Sequence, residues 1–401
     1  MLDNADRNRF SGMLKGKRVV VAVTASISLY RVPDLIRDLR REGAQVFVGM
    51  SEEAASLISP KIMRWASGNE VTTELTGEIE HITLFEGQPG DTVLSITPCT
   101  HNTLGKIANG ISDDVPSSFY SFAAGNGNKV VLSPAMHEGM YRNPSNRRNA
   151  DFLTSIGVDI VPPEISEEKA KLSANAEIID HICRAFYSHT LSGKKVIVIG
   201  GHTEEPIDPV RSLSNHGTGF TAYWFARSAF RLGASRITYV GNCTEDLPSY
   251  TNYIEAETSS EIEAEALKEV ERGYDIVLSP AAISDFRISG EFKEKISSSS
   301  SHQIKLEPRG KIIDRVREKH KGLLIPFNLT EEKDLELIRE KFKKSGPEMI
   351  VSNSFAERDP FGETFNDYEI IKEDSVEELN NVSKPEMTLQ VLRTAAEIIG
   401  E

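Results

Sequence analysis

Two stretches in opposite halves of this chain share one pattern, and that pattern constrains the fold more than any other feature. Leu14-Lys15-Gly16-Lys17-Arg18-Val19-Val20-Val21 and Leu191-Ser192-Gly193-Lys194-Lys195-Val196-Ile197-Val198 each read as a turn, a basic pair and an uninterrupted apolar run. Such a run is how a strand buried on both faces of a parallel sheet is written. In each half a helical stretch then ends in Gly-Ala, at Gly43-Ala44 and at Gly233-Ala234, before a second β-rich run at 45–48 and 237–240. Strand, helix and strand together make the unit of a parallel sheet. The spacing between strand and Gly-Ala differs in the two halves, so the halves share an architecture and not a repeat. The expected fold is α/β, with two doubly wound Rossmann-like domains over residues 1–190 and 191–401. Their junction is placed at 188–193, where the amphipathic stretch 176–187 stops. Later strands are expected at 276–278, 323–325 and 349–351, with a helix at 332–344 before the last.

Length and composition agree with this division. At 401 residues the chain exceeds what one core usually supports. With 39% hydrophobic and 26% charged residues it is composed as an ordinary globular protein. A net charge of -14 without any dominant Lys/Arg block argues against a nucleic-acid binder, so small anions must be caught by local basic sites. Cys99, Cys183 and Cys243 lie far apart and form neither a CxxC pair nor a disulfide framework. A reducing cytoplasm is the expected home. Residues 1–10 are polar, without an apolar signal region, and no run of 18 apolar residues occurs, so no membrane association is expected.

Several motifs sit where such folds bind ligands. Beyond the strand ending at Gly200-Gly201, residues 208–219 read as an anion-binding loop. Arg211 offers a bidentate fork and Asn215 an amide that donates and accepts, and the Gly217 to Gly219 turn leads into a helix at 220–232 whose N-terminus suits a phosphate. A similar turn also serves merely to pack a helix on a sheet. In the first half Thr24-Ala25-Ser26-Ile27-Ser28 follows the first strand, and its amides and hydroxyls suit a phosphate or, alternatively, cap a helix. Residues 297–301 read as a flap. A nicotinamide-dependent reductase would use the Gly200-Gly201 turn as well, but needs an acidic ribose ligand after its second strand and a Tyr-x-x-x-Lys pair.

The run from Asn102 to Asp114 is followed by Pro134-Ala135-Met136-His137-Glu138-Gly139-Met140. With these motifs in place, the chain from about Lys15 onward resembles the bifunctional phosphopantothenoylcysteine decarboxylase / phosphopantothenate-cysteine ligase family of coenzyme A synthesis, in its archaeal-type variant. The resemblance implies a flavodoxin-like first domain of the flavin-containing cysteine decarboxylase type and a second domain of the ligase type. It implies two successive reactions: a CTP-dependent condensation of 4'-phosphopantothenate with cysteine through an acyl-nucleotidylate, then FMN-dependent decarboxylation to 4'-phosphopantetheine. Mg2+ is implied beside CTP, with no ligands assigned. For FMN the matching positions are Thr24, Ser26, Ser51 and Asn102, and His81 in Glu80-His81-Ile82-Thr83-Leu84 matches the catalytic histidine. Read alone, a histidine between apolar neighbours is more often a packed structural residue. Met136, His137 and Asp208 match substrate positions. Asn215, Arg211 and Lys295 match the ligase's catalytic residues, and Gly200, Gly201, Ala281, Asp285, Lys295, Lys311, Phe327, Lys341 and Lys344 its nucleotide site. Asn353, before Phe361-Gly362, matches a late turn of the family. A homo-oligomer is implied, with flavin sites at trimer contacts and dimerised ligase domains.

Four departures stand out. His137 replaces the asparagine of the family's Pro-Ala-Met-Asn clasp, and the lid segment 162–172 lacks the cysteine that donates a proton in bacterial members. Lys169, Lys171 and His137 are the candidate replacements. Cys99-Thr100-His101-Asn102 stands where Ala-Thr-Ala-Asn is usual, with Cys99 expected to be a packed residue. The ligase motif reads Gly200-Gly201-His202-Thr203-Glu204, with Thr218 in place of a second serine. The missing lid cysteine also supports an alternative, an active ligase joined to a flavin-binding regulatory half that does not decarboxylate.

Overall fold

The structure, a computed structural model, describes residues 9–290, 292–297, 299, 301–331, 333–354 and 365–400. Glu332, Ser298, Ser300, Phe361 and Gly362, each part of an expectation above, lie outside these residues. Contacts divide the chain into two compact units whose main bodies are Gly12–Ser188 and His189–Glu401.

The first unit holds β1 (Arg18–Val23), β2 (Gln45–Met50), β3 (Val71–Thr72), β4 (Thr92–Cys99), β5 (Lys129–Pro134), β6 (Met136–His137), β7 (Asp159–Ile160), β8 (Glu164–Ser166) and β9 (Lys169–Lys171). Its main sheet runs β3-β2-β1-β4-β5-β7 in parallel. Without the two-residue edge strand β3 this is the flavodoxin order, and the chain reverses direction across the sheet between β1 and β4. Val19, Val20, Val21, Ala22 and Val23 are fully buried, which explains why β1 carries no polar alternation. The helix Val32–Arg41 covers the sheet with Val32, Leu35, Ile36 and Leu39, one face at helical spacing. The helix Val115–Gly125 starts at an Asp114 capping box with Ser117. It lies so close to the sheet that a Cβ on Gly49 would stand 2.4 Å from the Phe119 ring.

The second unit adds β10 (Lys195–Gly200), β11 (Glu204–Asp208), β12 (Arg211–Ser214), β13 (Arg236–Gly241), β14 (Asn252–Glu255), β15 (Ile276–Ser279), β16 (Phe286–Ser289), β17 (Lys305–Pro308), β18 (Leu323–Thr330), β19 (Ile350–Ser354), β20 (Phe365–Ile371) and β21 (Val376–Ser383). Its sheet runs β14-β13-β10-β15-β18-β19-β20-β21, parallel as far as β19 and closed by the antiparallel pair β20 and β21. The direction again switches beside the first strand, between β10 and β15. Ile197, Ile199, Val277 and Leu324 form the middle of the core, covered by Ile262, Ala266 and Val270 of the helix Ser259–Val270. The helix expected at 332–344 spans Leu335–Phe342, because Asp334 caps it by accepting from the Leu337 N–H at 3.0 Å.

One expectation is corrected outright. Residues 208–219 are not a single loop: β11 and β12 form an antiparallel hairpin across Pro209 and Val210. The Asp208 carboxylate turns the chain there, accepting from the Val210 N–H at 2.8 Å and the Arg211 N–H at 2.9 Å. Among the described residues, no helix is long and apolar enough to cross a membrane.

Candidate functional sites

In the first unit a cavity of about 530 Å³ opens at the carboxyl ends of β1, β2, β4 and β5, beside the switch point. Thr24, Ser26, Ser51, Asn102, Met136 and His137 all line it. The Ser26 hydroxyl accepts from the Ser28 N–H at 3.4 Å and the Ser51 hydroxyl from the Ala54 N–H at 3.2 Å. Both therefore cap helices while keeping an O–H proton to give to an anion, so the capping and phosphate-holding readings coexist. Thr24 differs, since its hydroxyl donates to the Pro98 carbonyl at 2.7 Å and accepts from the Thr100 N–H at 3.2 Å. Its side chain ties β1 to the end of β4 and leaves only backbone for a ligand. Hydroxyls and amides at one end and Ala25, Ala135 and Met136 among the walls suit a phosphate joined to a flat ring, so this donor set fits a flavin mononucleotide.

Two imidazoles line the same cavity in opposite tautomers. The buried Asn146 amide donates from Nδ2 to the Tyr141 carbonyl at 3.0 Å, which turns its Oδ1 toward His101 Nδ1, 3.0 Å away. An amide oxygen only accepts, so His101 Nδ1 carries the proton and Nε2 of the neutral ring keeps a lone pair. His137 is the reverse. Its Nδ1 accepts from the Gly139 N–H at 3.2 Å, leaving the proton of the neutral ring on Nε2. Sequence reasoning did not single out His101 as a site residue, although its departure from the family pattern was the available signal.

The lid segment is a hairpin, β8 against β9, and β9 also pairs with β6 so that Met136 faces Ala170 and His137 faces Lys169. Lys169 and Lys171 reach the cavity wall, and Lys171 Nζ is paired with Glu167 at 2.8 Å. His81 lies elsewhere. It sits on the short helix Glu80–Thr83, edge-on to Phe122 at 6.3 Å, outside this cavity's lining, with its buried Nδ1 unpartnered. Cys99 is fully buried, and burial pushes its thiol up to about 12.

In the second unit a cavity of about 900 Å³ opens at the carboxyl ends of β10, β15, β18 and β19. It gathers Gly201, Asn215, Ala281, Asp285, Lys311, Phe327, Lys341 and Asn353, together with the N-terminus of the helix Phe220–Arg231. Asn215 Nδ2 donates to the Ala282 carbonyl at 3.2 Å, so its acceptor Oδ1 is held apart from that contact. Lys341 Nζ donates to Asn328 Oδ1 at 2.8 Å, and Lys311 Nζ to the Lys341 carbonyl at 2.5 Å. Burial, reinforced by the Lys341 charge, pulls the Lys311 ammonium below the ordinary lysine range. Phe327 packs edge-on to Phe225 at 5.4 Å.

Gly200, Asp208, Arg211, Lys295 and Lys344 do not line this cavity. Gly200 is a packing residue, since a Cβ there would meet Ala222 and the Tyr239 hydroxyl at 2.4 Å. Lys344 is exposed, with Asp314 at 3.8 Å. Arg211 Nη1 is bound to Asp208 Oδ2 at 2.5 Å and to the Ile296 carbonyl at 3.3 Å, while the Ile296 N–H returns to Asp208 at 3.1 Å. Burial opposes ionisation of Asp208, but these N–H groups and the guanidinium outweigh it and hold the carboxyl at about 2. The pair thus ties the β11–β12 hairpin to the flap that carries Lys295. A Tyr-x-x-x-Lys spacing does occur, at Tyr368 and Lys372, but Tyr368 lies on β20 and not on a helix, so the pair lacks the one-turn separation a reductase uses. Among the described residues no group of three or more His, Cys, Asp or Glu is placed to hold a metal ion.

Two doubly wound units, each with a cavity at the switch point of its sheet, define a class of α/β proteins that bind ligands at the carboxyl ends of their strands. Residues 7–187 match the family described as Flavoprotein, and residues 191–399 the DNA/pantothenate metabolism flavoprotein C-terminal domain. Over 386 residues the chain is 35% identical to the coenzyme A biosynthesis bifunctional protein CoaBC of Thermococcus kodakarensis, covering 94% of each chain. Over 398 residues it is 30% identical to that of Methanocaldococcus jannaschii, covering 97% of this chain and 96% of the relative. A crystal structure of the C-terminal domain of CoaBC aligns with a TM-score of 0.44 at 27% identity, over 53% of this chain and 99% of that one. The chain belongs to the family of coenzyme A biosynthesis bifunctional proteins, which are enzymes with a flavoprotein half.

Proposed function

We propose that residues 191–401 join 4'-phosphopantothenate to cysteine with CTP and Mg2+, and that residues 1–190 decarboxylate the product to 4'-phosphopantetheine with FMN. The observation that carries this reading is the division of chemistry between the two cavities. One gathers lysines, an amide and a helix N-terminus, and the other hydroxyls and two imidazoles of fixed tautomer.

In the ligase half the substrate carboxylate attacks the α-phosphorus of CTP, pyrophosphate leaves, and the cysteine amine then displaces CMP from the acyl carbon. Lys311 and Lys341 neutralise charge that grows on the phosphates, where Mg2+ bound with CTP would supply further positive charge. Asp285 and Phe327 hold the nucleoside end. With Asn215 Nδ2 engaged on Ala282, its Oδ1 accepts from the incoming amine and aims the nitrogen lone pair at the acyl carbon. Lys295, on the flap tethered by Asp208 and Arg211, closes over the intermediate.

In the decarboxylase half, FMN would supply, when bound, a reversible acceptor for an electron pair. Ser26, Ser51 and the backbone of 24–28 would hold its phosphate, and Asn102 lines the same cavity. When CO2 leaves, a proton must take its place on carbon, and His137 Nε2 is the N–H that the Gly139 cap leaves available. Lys171, engaged with Glu167, is the weaker donor. His81 completes the site of a neighbouring copy in a homo-oligomer, a placement supported by its position outside its own cavity.

Three variants test the halves separately. Asn215→Asp is expected to release pyrophosphate yet accumulate acyl-nucleotide, seen by mass spectrometry. His137→Leu and His81→Asn are expected to keep the flavin spectrum while slowing decarboxylation of supplied 4'-phosphopantothenoylcysteine at least about 100-fold. Unchanged turnover in any of these would remove that residue from the mechanism.

A further inference from the structure

Lys384 opens the last helix, Lys384–Gly400, and lines the wall of the second unit's cavity together with Phe220 and Thr221. Its ammonium stands 5.5 Å from the centroid of Phe220, the first residue of the helix Phe220–Arg231. Among the described residues no carboxylate pairs with it, in contrast to Lys106, Lys171 and Lys268, each of which has an acidic partner within 3.1 Å. The side chain is largely covered, and burial alone pulls its ammonium below the ordinary lysine range.

A covered cation without an anion is costly unless something negative arrives. Among the described residues its attractive neighbour is the Phe220 ring face, a contact that leaves its N–H donors unspent. The lysine is held in place as well. Ser383 and Glu386 form a reciprocal cap, with the Glu386 N–H on Ser383 Oγ at 3.4 Å and the Ser383 N–H on Glu386 Oε2 at 2.9 Å, and Pro385 follows the lysine directly. Beside it the first turn of the helix Phe220–Arg231 lines the same cavity with Gly217, Thr218 and Gly219, its Phe220 N–H donating to Thr218 Oγ1 at 3.3 Å.

We propose that Lys384 is an anion-binding residue of the ligase cavity, receiving a phosphate oxygen beside the glycine turn and Phe220. This rests on the ligase reading for the identity of the phosphate, which belongs either to the CTP triphosphate or to 4'-phosphopantothenate. It does not rest on that reading for the presence of an anion.

The test is calorimetric titration of the full-length protein and of Lys384→Met and Lys384→Arg with three probes: inorganic tripolyphosphate, CTP with Mg2+, and 4'-phosphopantothenate. Losing one charge-assisted contact is expected to weaken at least one probe about ten- to hundredfold in Lys384→Met, with most of the affinity restored in Lys384→Arg. Weaker CTP and tripolyphosphate binding assigns the triphosphate, and weaker 4'-phosphopantothenate binding alone assigns the substrate phosphate. A Lys384-dependent tripolyphosphate affinity with no CTP binding by the parent protein would support the anion site and sink the nucleotide reading. All three affinities within twofold of the parent in Lys384→Met would overturn the proposal. Circular dichroism spectra and thermal unfolding of both units matching those of the parent check that the variants are folded.

Discussion

Gly201 holds a backbone φ of +83, and a Cβ there would stand 2.1 Å from Asn242 Oδ1 and 2.2 Å from the Asn242 carbonyl. No side chain escapes both the left-handed backbone and the collision, so Gly201→Ala is expected to cost at least about 2–3 kcal/mol. Chemical denaturation checks this, and a variant as stable as the parent would contradict the turn geometry. Cys99 makes the opposite kind of prediction. With its thiol raised to about 12 by burial, it has almost no thiolate at pH 8. It should resist iodoacetamide in the native protein and react only on unfolding, read by peptide mass mapping. At this scale the sequence was informative about identity but not about pairing. His137 was legible as a departure, yet its tautomer is set by the Gly139 N–H. That of His101 is set by an amide 45 positions away, a relation no linear pattern carries.

Elements divide along similar lines. The strands β1 and β10 were readable because they are buried on both faces and therefore continuously apolar. The lid strands β8 and β9 were not, being three residues long and largely exposed. Their turn places Glu167 at φ +51 and Glu168 at φ +58, both left-handed, a conformation that asparagine and glycine adopt more cheaply. Glu167→Asn with Glu168→Gly is expected to stabilise the lid by about 0.5–1 kcal/mol, seen as slower amide exchange at 164–171. Exchange no slower than in the parent would contradict the turn. The β11–β12 hairpin was missed because its Asp208-Pro209 turn signal was read as part of a phosphate loop. Its tie to the flap depends on an ionised Asp208. Because the folded carboxyl lies at about 2, below the ordinary value near 3.9, the tie is complete above about pH 4 and is lost as pH falls through about 2. Asp208→Asn removes that charge at neutral pH, and trypsin should then cut at Lys293 and Lys295 several-fold faster. An unchanged cleavage rate would show that the flap is held by something else.

Across the whole molecule, a chain of net charge -14 is proposed to handle several phosphate-bearing molecules, and it can do so only by concentrating positive charge locally. Lys311, Lys341 and Lys384 line one cavity, while the other relies on hydroxyls, amides and the lid lysines. Both proposed reactions act on the same pantothenoyl arm, and the product of the ligase is the substrate of the decarboxylase. The doubly wound plan of both halves was legible from their opening strands. The place of His81 was not, since nothing in a linear pattern says that a histidine leaves its own cavity. The most direct test is to incubate the flavin-loaded protein with 4'-phosphopantothenate, cysteine, CTP and Mg2+ and follow product masses. The account predicts 4'-phosphopantetheine, formed with loss of CO2. A product that stops at 4'-phosphopantothenoylcysteine would contradict it and leave a ligase joined to a flavoprotein half that only binds or regulates.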